Sequence, residues 1–151
     1  MIQEIENLKW RYATKKFDAK KKISQEDLEI LKEAIQLSAT SYGLQLFKVL
    51  IISNPELRKK LRPMSWNQSQ IEDASQLFVF CNYTKVERKH IEAYTSLKAE
   101  KTGANAADFT PYVDFIESKL GERTNEEIEA WTAKQTYIAV SNLMNAAAEL
   151  K

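Results

Sequence analysis

A chain of 151 residues, 44% hydrophobic and 28% charged, is long enough to bury a core of its own and too apolar to stay disordered. Its formal net charge of +1 excludes the strongly basic balance of a general nucleic-acid or membrane-surface binder. Cys81 stands alone, which excludes an internal disulfide, and the acidic start Met1-Ile2-Gln3-Glu4-Ile5-Glu6 lacks the apolar run of a signal peptide. A single cytoplasmic domain over residues 1–151 is therefore expected, without nucleic-acid or membrane partners.

In chain order, residues 3–10 predict a short helix with Ile5, Leu8 and Trp10 inward. Arg11-Tyr12-Ala13-Thr14-Lys15-Lys16-Phe17-Asp18 leaves it as a loop or irregular strand. Arg11 and Lys15 lie four residues apart, and Phe17 can pin the stretch to a core. Arginine offers a planar fork that matches phosphate, while lysine is a mobile point charge, so the stretch suits a multiply charged anion. Lys20, Lys21 and Lys22 read as solvated surface. Ser24-Gln25-Glu26-Asp27, a near relative of the capping box, opens a helix to about Ser38, with Leu28, Leu31, Ile35 and Ile30, Ala34, Leu37 at helical spacing.

Ala39-Thr40-Ser41-Tyr42-Gly43 breaks that pattern at a glycine. Leu46 to Ile52 predicts a strand apolar on both faces apart from Lys48, hence interior to a sheet. Asn54-Pro55-Glu56 is a helix entry by cap, first-turn proline and acid near the positive dipole end, and that helix ends near Arg62-Pro63. Met64 to Ser75 is a loop with room for one helical turn. Leu77 to Cys81 is a second strand, with Cys81 read as a core thiol.

Val86 to Thr102 predicts a helix with Ile91, Tyr94 and Leu97 inward and Gly103 as its stop. Thr110-Pro111 opens another that ends at Gly121. Thr124-Asn125-Glu126-Glu127 is a capping box opening the longest helix, lined by Ile128, Trp131, Ile138 and by Val140, Leu143, Ala147, Leu150. Its second half is apolar around much of its circumference. Burial in a core and burial at a subunit interface both satisfy that pattern.

Three glycines, at 43, 103 and 121, are too scattered for a Rossmann fingerprint or a P-loop. One cysteine and one histidine, Cys81 and His90, do not make a zinc site, so no metal is expected. His90, beside Arg88 and Lys89, reads as solvent-facing, and no Ser-His-Asp set stands out. Trp10, Trp66 and Trp131 read as packing anchors.

Five stretches, in this order, resemble the nitroreductase family of FMN-dependent NAD(P)H oxidoreductases. They are Arg11 to Asp18 after a short helix; Leu37-Ser38-Ala39-Thr40-Ser41-Tyr42-Gly43-Leu44-Gln45 before a strand; Asn67-Gln68-Ser69-Gln70; Asp73-Ala74-Ser75 before a second strand; and Ala130-Trp131-Thr132-Ala133-Lys134-Gln135 inside a long helix. The resemblance covers essentially the whole chain. It implies an α+β fold built on a mixed sheet flanked by helices, and a homodimer with FMN in clefts touched by both subunits. The long helix from Thr124 would then be an interface helix.

By the same resemblance Arg11 meets the FMN phosphate or ribityl region, with Tyr12 and Ala13 in the same wall. Lys15 lies near the flavin N1 and C2 carbonyl, where a cation favours the hydride-accepting state. Thr40, Ser41 and Gly43 belong to the loop reaching the partner's flavin. Asn67 and Gln70 give neutral contacts to ring edge and ribityl hydroxyls. The implied reaction is ping-pong: hydride passes from NADH or NADPH through flavin N5 to a small-molecule acceptor, a nitroaromatic or quinone, with no dedicated catalytic side chain. The rival expectation is a non-catalytic dimeric or partner-binding domain that keeps the front half of the fold.

The sequence departs from the family at Ala39 and Leu46, where proline is frequent. Each loss loosens the unfolded chain by about 0.4–1 kcal/mol. After the long helix the family continues with a loop beside the flavin, further strands, basic residues for the phosphate and a C-terminal arm. Two strands and an apolar last helix without a returning element point the same way, so these 151 residues are expected to be part of a longer chain.

Overall fold

The computed structural model describes residues 2–151. Their elements run α1 (Gln3–Trp10), α2 (Gln25–Gln36), a 3-10 turn (Ser41–Gly43), β1 (Phe47–Ile52), α3 (Pro55–Leu61), α4 (Gln70–Asp73), β2 (Leu77–Asn82), α5 (Arg88–Thr102), a second 3-10 turn (Ala106–Phe109), α6 (Thr110–Gly121) and α7 (Asn125–Leu150). The α+β class is as expected, and among the described residues the sheet consists of β1 and β2. The Tyr83 N–H donates to the Leu46 carbonyl at 3.1 Å, so the start of β1 lies against the end of β2 and the pair is antiparallel.

The residues form two compact units. One holds the chain up to Leu37 with Val49–Phe80 and Ala139–Lys151; the other holds Ser38–Lys48 with Cys81–Ile138.

In the first unit the boundaries follow local chemistry. Ser24 caps α2 by accepting from the Asp27 N–H at 3.0 Å, and the Asp27 carboxylate accepts in return from the Ser24 N–H. Asn54 caps α3 ahead of Pro55 by accepting from the Leu57 N–H at 3.0 Å. Leu31 and Ile35 on α2 are buried, as are Ala139 and Ala148 on α7. The inward residue of α1 is Asn7. Its amide donates to the Glu149 carboxylate and its carbonyl accepts from Lys151 Nζ at 2.7 Å. Ile5, Leu8 and Trp10, expected inward, are exposed, with Lys151 Nζ 4.7 Å from the Trp10 ring centre. Ile30 and Leu37 on the second face of α2 are exposed too.

In the second unit Leu44, Leu46, Ile91, Val113, Ile116, Leu120 and Ile128 form the core, with Tyr42, Tyr83, Val86, Tyr94, Tyr112 and Trp131 packed on it. Gly103 ends α5 in the left-handed region at φ +69°, as its position predicted. Thr124 caps α7 by accepting from the Glu127 N–H at 3.2 Å, while the Glu127 carboxylate accepts from the Thr124 N–H at 2.8 Å. Arg88 on α5 faces three carboxylates: Glu92 at 2.7 Å, Asp114 at 2.8 Å and Glu117 at 2.5 Å, which clamps α5 to α6.

Several expectations are corrected. Neither strand is interior to a sheet: each has one neighbour among the described residues, and Leu50 and Cys81 are exposed. Cys81 is therefore not a core thiol in this chain. Leu97 is exposed because Ile91, Thr95 and Ala99 form the inward stripe of α5. On α7 the buried positions are Ile128, Thr132, Thr136, Ala139 and Ala148, so Ile138 and Leu150 point outward. His90 is half-buried; its Nδ1 accepts from the Glu87 N–H at 3.0 Å and its ring meets Tyr83 edge-on. Trp66 is 91% exposed and anchors nothing.

Candidate functional site

The residues singled out from sequence fall into two groups, one in each unit. In the first unit Arg11 ends α1. It leaves the helix with extended backbone while its N–H still donates to the Asn7 carbonyl at 3.0 Å. Arg11 is half-buried; Tyr12, Ala13 and Lys15 are exposed. Among the described residues neither the Arg11 guanidinium nor the Lys15 ammonium has a carboxylate or hydrogen-bond partner. Two uncompensated cations four positions apart attract an anion from solution rather than satisfy one another.

Gln70, the first residue of α4, comes to the same stretch: its amide donates to the Thr14 carbonyl at 3.4 Å. Asn67 sits one turn earlier at φ +56°, directly after Trp66 at φ +51°. The left-handed backbone costs about 1–2 kcal/mol at Trp66, whereas asparagine adopts it more readily. Both residues are held by the Asn67 N–H donating to the Arg62 carbonyl at 3.1 Å and by Arg62 Nε donating to the Asn67 carbonyl at 3.2 Å. No hydrogen bond joins Asn67 to Arg11 or Lys15 among the described residues.

In the second unit Thr40, Ser41 and Gly43 form a tightly specified turn. The Thr40 hydroxyl accepts from the Gln45 N–H at 3.0 Å, and the Gln45 amide donates to the Ser38 carbonyl at 3.0 Å. The Ser41 N–H donates to Gln135 Oε1 at 2.8 Å, so α7 fixes the turn. Tyr42 and Gln45 are left-handed at φ +57° and +46°, and Gly43 at +74°. A Cβ at Gly43 would lie 2.6 Å from Tyr94 Oη, so the turn needs a glycine for space as well as for backbone. Tyr42 meets Phe115 and Trp131 edge-on at 6.5 and 6.3 Å. The left-handed residues of this turn are held by the bonds that Gln45 and Gln135 make to it.

With that geometry in view, comparison with known proteins is decisive. The Nitroreductase family model matches residues 8–151. The chain belongs to the nitroreductase family. YfkO of Bacillus subtilis is 32% identical over 158 residues, which takes in 98% of this chain and 70% of YfkO. The major NAD(P)H-flavin oxidoreductase of Aliivibrio fischeri is 31% identical over 156 residues, covering 99% of this chain and 70% of that protein. The fold of a nitroreductase-like protein from Streptococcus mutans superposes with a TM-score of 0.83 at 13% identity, over 99% of this chain and 73% of that one. A protein from Exiguobacterium sibiricum, solved in complex with FMN, superposes with a TM-score of 0.80 at 23% identity, over 95% and 69%.

Two residues of this nitroreductase-family chain escaped the sequence reading. Gln135 stood inside a quoted motif without a role; its helical position one turn past Trp131, on the face toward the Thr40–Gly43 turn, was the available signal. Arg58 was hidden in the basic run Arg58-Lys59-Lys60 and gave no signal at all. It is 4% exposed, and its guanidinium donates to the carbonyls of Ile71, Ala74 and Ser75.

Proposed function

We propose that this chain is the FMN-binding part of an NAD(P)H-dependent flavin oxidoreductase acting as a homodimer. The observation that carries the reading is the pair of cations without a counter-charge among the described residues, Arg11 and Lys15, on a segment joined to Gln70. The donor set suits FMN: two cations answer a phosphate and an electron-rich ring edge, and the neutral amides of Asn67 and Gln70 answer ring and ribityl hydroxyls. FMN, when bound, would supply the hydride chemistry that links NADH or NADPH to a nitroaromatic or quinone acceptor.

The chain's own residues bind and tune. Arg11 makes charge-assisted hydrogen bonds to phosphate, each worth about 1.5–3 kcal/mol. Lys15 places positive charge at the N1 and C2-carbonyl edge, where it stabilises the negative charge that reduction develops. Tyr12 and Ala13 form the wall beside them. Thr40, Ser41 and Gly43 present their turn to the flavin of the partner subunit, held there by Gln135. No side chain has to give or take a proton.

An absorbance scan of the purified chain with added FMN tests the reading. Retained flavin colour is expected, and Lys15→Ala should weaken FMN retention by roughly 10- to 100-fold, the equivalent of about 1.5–3 kcal/mol. A colourless protein that ignores FMN would instead favour a non-catalytic dimeric or partner-binding domain.

A further inference from the structure

Arg58 presents a physical puzzle. It lies on α3 at 4% exposure, yet among the described residues no carboxylate faces it. A buried cation without a counter-ion is an expensive way to fill space; leucine would fill it at lower cost. What a guanidinium alone supplies is a rigid planar fork of donors. Here the fork closes on one short turn: Nε donates to the Ile71 carbonyl at 2.7 Å, Nη2 to the Ala74 carbonyl at 2.5 Å and Nη1 to the Ser75 carbonyl at 3.2 Å.

Both ends of that turn hold the irregular segment between α1 and α2. Gln70 at its start donates to the Thr14 carbonyl, and the Ser75 hydroxyl at its end accepts from the Ile23 N–H at 3.0 Å. Among the described residues the remaining hydrogen bonds between Arg11 and Ile23 are the Arg11 N–H to Asn7 at the helix end and two short-range bonds onto Asp18, from the Lys20 and Lys21 N–H groups. The segment that carries Arg11 and Lys15 is therefore fastened to another element at two points, and both belong to the turn that Arg58 closes.

We propose that Arg58 is a positioning residue for the Arg11–Lys15 cation pair, acting through the Gln70–Ser75 turn and its two ties to Thr14 and Ile23. This rests on the reading of those cations as the FMN-binding pair. Arg58 touches no cofactor; it sets where the cations stand, so that order present before binding is not lost on binding. Lysine keeps the charge but is a point donor, and it cannot hold three carbonyls in one plane.

Hydrogen–deuterium exchange on the 151-residue chain, with and without FMN, tests this. In Arg58→Lys the hydrogen-bonded amides of this segment, Lys20, Lys21 and above all Ile23, should exchange about tenfold faster, the size expected for a lost hydrogen bond to a charged group, while α2 and α7 keep their rates. The FMN dissociation constant should rise by a similar factor. Ser75→Ala leaves Arg58 in place and cuts the tie to Ile23; if Arg58→Lys does not fold, a raised FMN dissociation constant in Ser75→Ala supports positioning through the turn and an unchanged one overturns it. Unchanged exchange over 14–23 in the folded variants overturns the proposal. So does an equal rise across the whole unit, because Arg58 would then be a general staple. Faster exchange confined to 14–23, in a chain that binds no FMN even as wild type, supports the positioning and overturns the flavin reading instead.

Discussion

Gly43 and Gly103 are both left-handed, at φ +74° and +69°, but they ask different things of a substituent. A Cβ at Gly103 meets nothing within 4 Å, whereas one at Gly43 runs into the Tyr94 phenol. Gly103→Ala should cost only the backbone term, about 1–2 kcal/mol. Gly43→Ala adds crowding and should cost about 2–4 kcal/mol. Urea midpoints of the two variants check the difference, and equal losses would mean that Tyr94 simply steps aside. Thr132 poses the polar counterpart. It is fully buried, and its hydroxyl donates to the Tyr83 carbonyl at 2.5 Å and accepts from the Asn82 amide at 3.2 Å. Thr132→Val leaves the Asn82 amide and the Tyr83 carbonyl with only their mutual 3.5 Å hydrogen bond and should cost about 1–3 kcal/mol, while Thr132→Ser keeps the bonds and loses about 1 kcal/mol with the methyl group. Tyr112 gives a pH signature. Burial, and after it the Tyr94 and Tyr42 phenols, pushes its hydroxyl above the ordinary tyrosine value. The folded state therefore holds that proton more tightly than the unfolded state. Its contribution to stability is complete below about pH 10 and is lost as pH rises through the elevated folded value. Across that alkaline range the melting temperature of wild type should fall relative to that of Tyr112→Phe as pH rises, and a constant difference would count against the shift.

Elements are where the sequence speaks most plainly, because a helix end is decided within four residues. Ser24 with Asp27, Asn54 with Pro55, Thr124 with Glu127 and the stop at Gly103 were all read from local spacing, and all carry the hydrogen bonds or backbone angles that spacing implied. Thr124→Ala should therefore lower stability by about 0.5–2 kcal/mol, with faster amide exchange confined to the first turn of α7. The face a helix turns inward is decided elsewhere. On α1 a polar residue, Asn7, wins over Ile5 and Leu8 because Glu149 and Lys151, over 140 residues away in sequence, offer its amide nitrogen and its oxygen a partner each. No period within eight residues holds that information. The clamp of Arg88 on Glu92, Asp114 and Glu117 is likewise a meeting of α5 with α6 that neither helix announces. Those carboxylates hold its guanidinium well above the ordinary arginine value. Since the groups are solvated, Arg88→Met should lower the melting temperature at low salt and lose most of that effect near 1 M salt.

At the scale of the molecule, what could be read was the order of the five stretches, and what could not was their arrangement. Order sufficed for the family. The tie of Gln70 to Thr14, the clamp of Arg58 and the Gln135 bond to Ser41 needed coordinates, because each joins segments between 13 and 94 residues apart. The chain spans about 70% of the length of the relatives described above. The long helix now offers the test that reaches furthest. It gives Ile128, Thr132 and Thr136 to one unit and Ala139 and Ala148 to the other, and it leaves Tyr137 73% exposed with Met144 exposed one heptad later on the same face. Side chains seven positions apart share one face of a helix, here with Ser141 between them. A self-complementary face seeds a two-fold interface, and a stable one covers about 800 Å² on each partner. If α7 supplies the dimer contact proposed here, the wild-type chain sediments as a dimer at micromolar concentration, and Tyr137→Lys with Met144→Lys sediments as a monomer of unchanged far-ultraviolet dichroism. FMN retention should fall in that double variant although Arg11, Lys15 and Gln70 are untouched, because the turn at Thr40–Gly43 would no longer meet a partner's flavin. A wild-type monomer that retains FMN would remove the interface from the proposal and leave the cation pair of the first unit to account for binding alone.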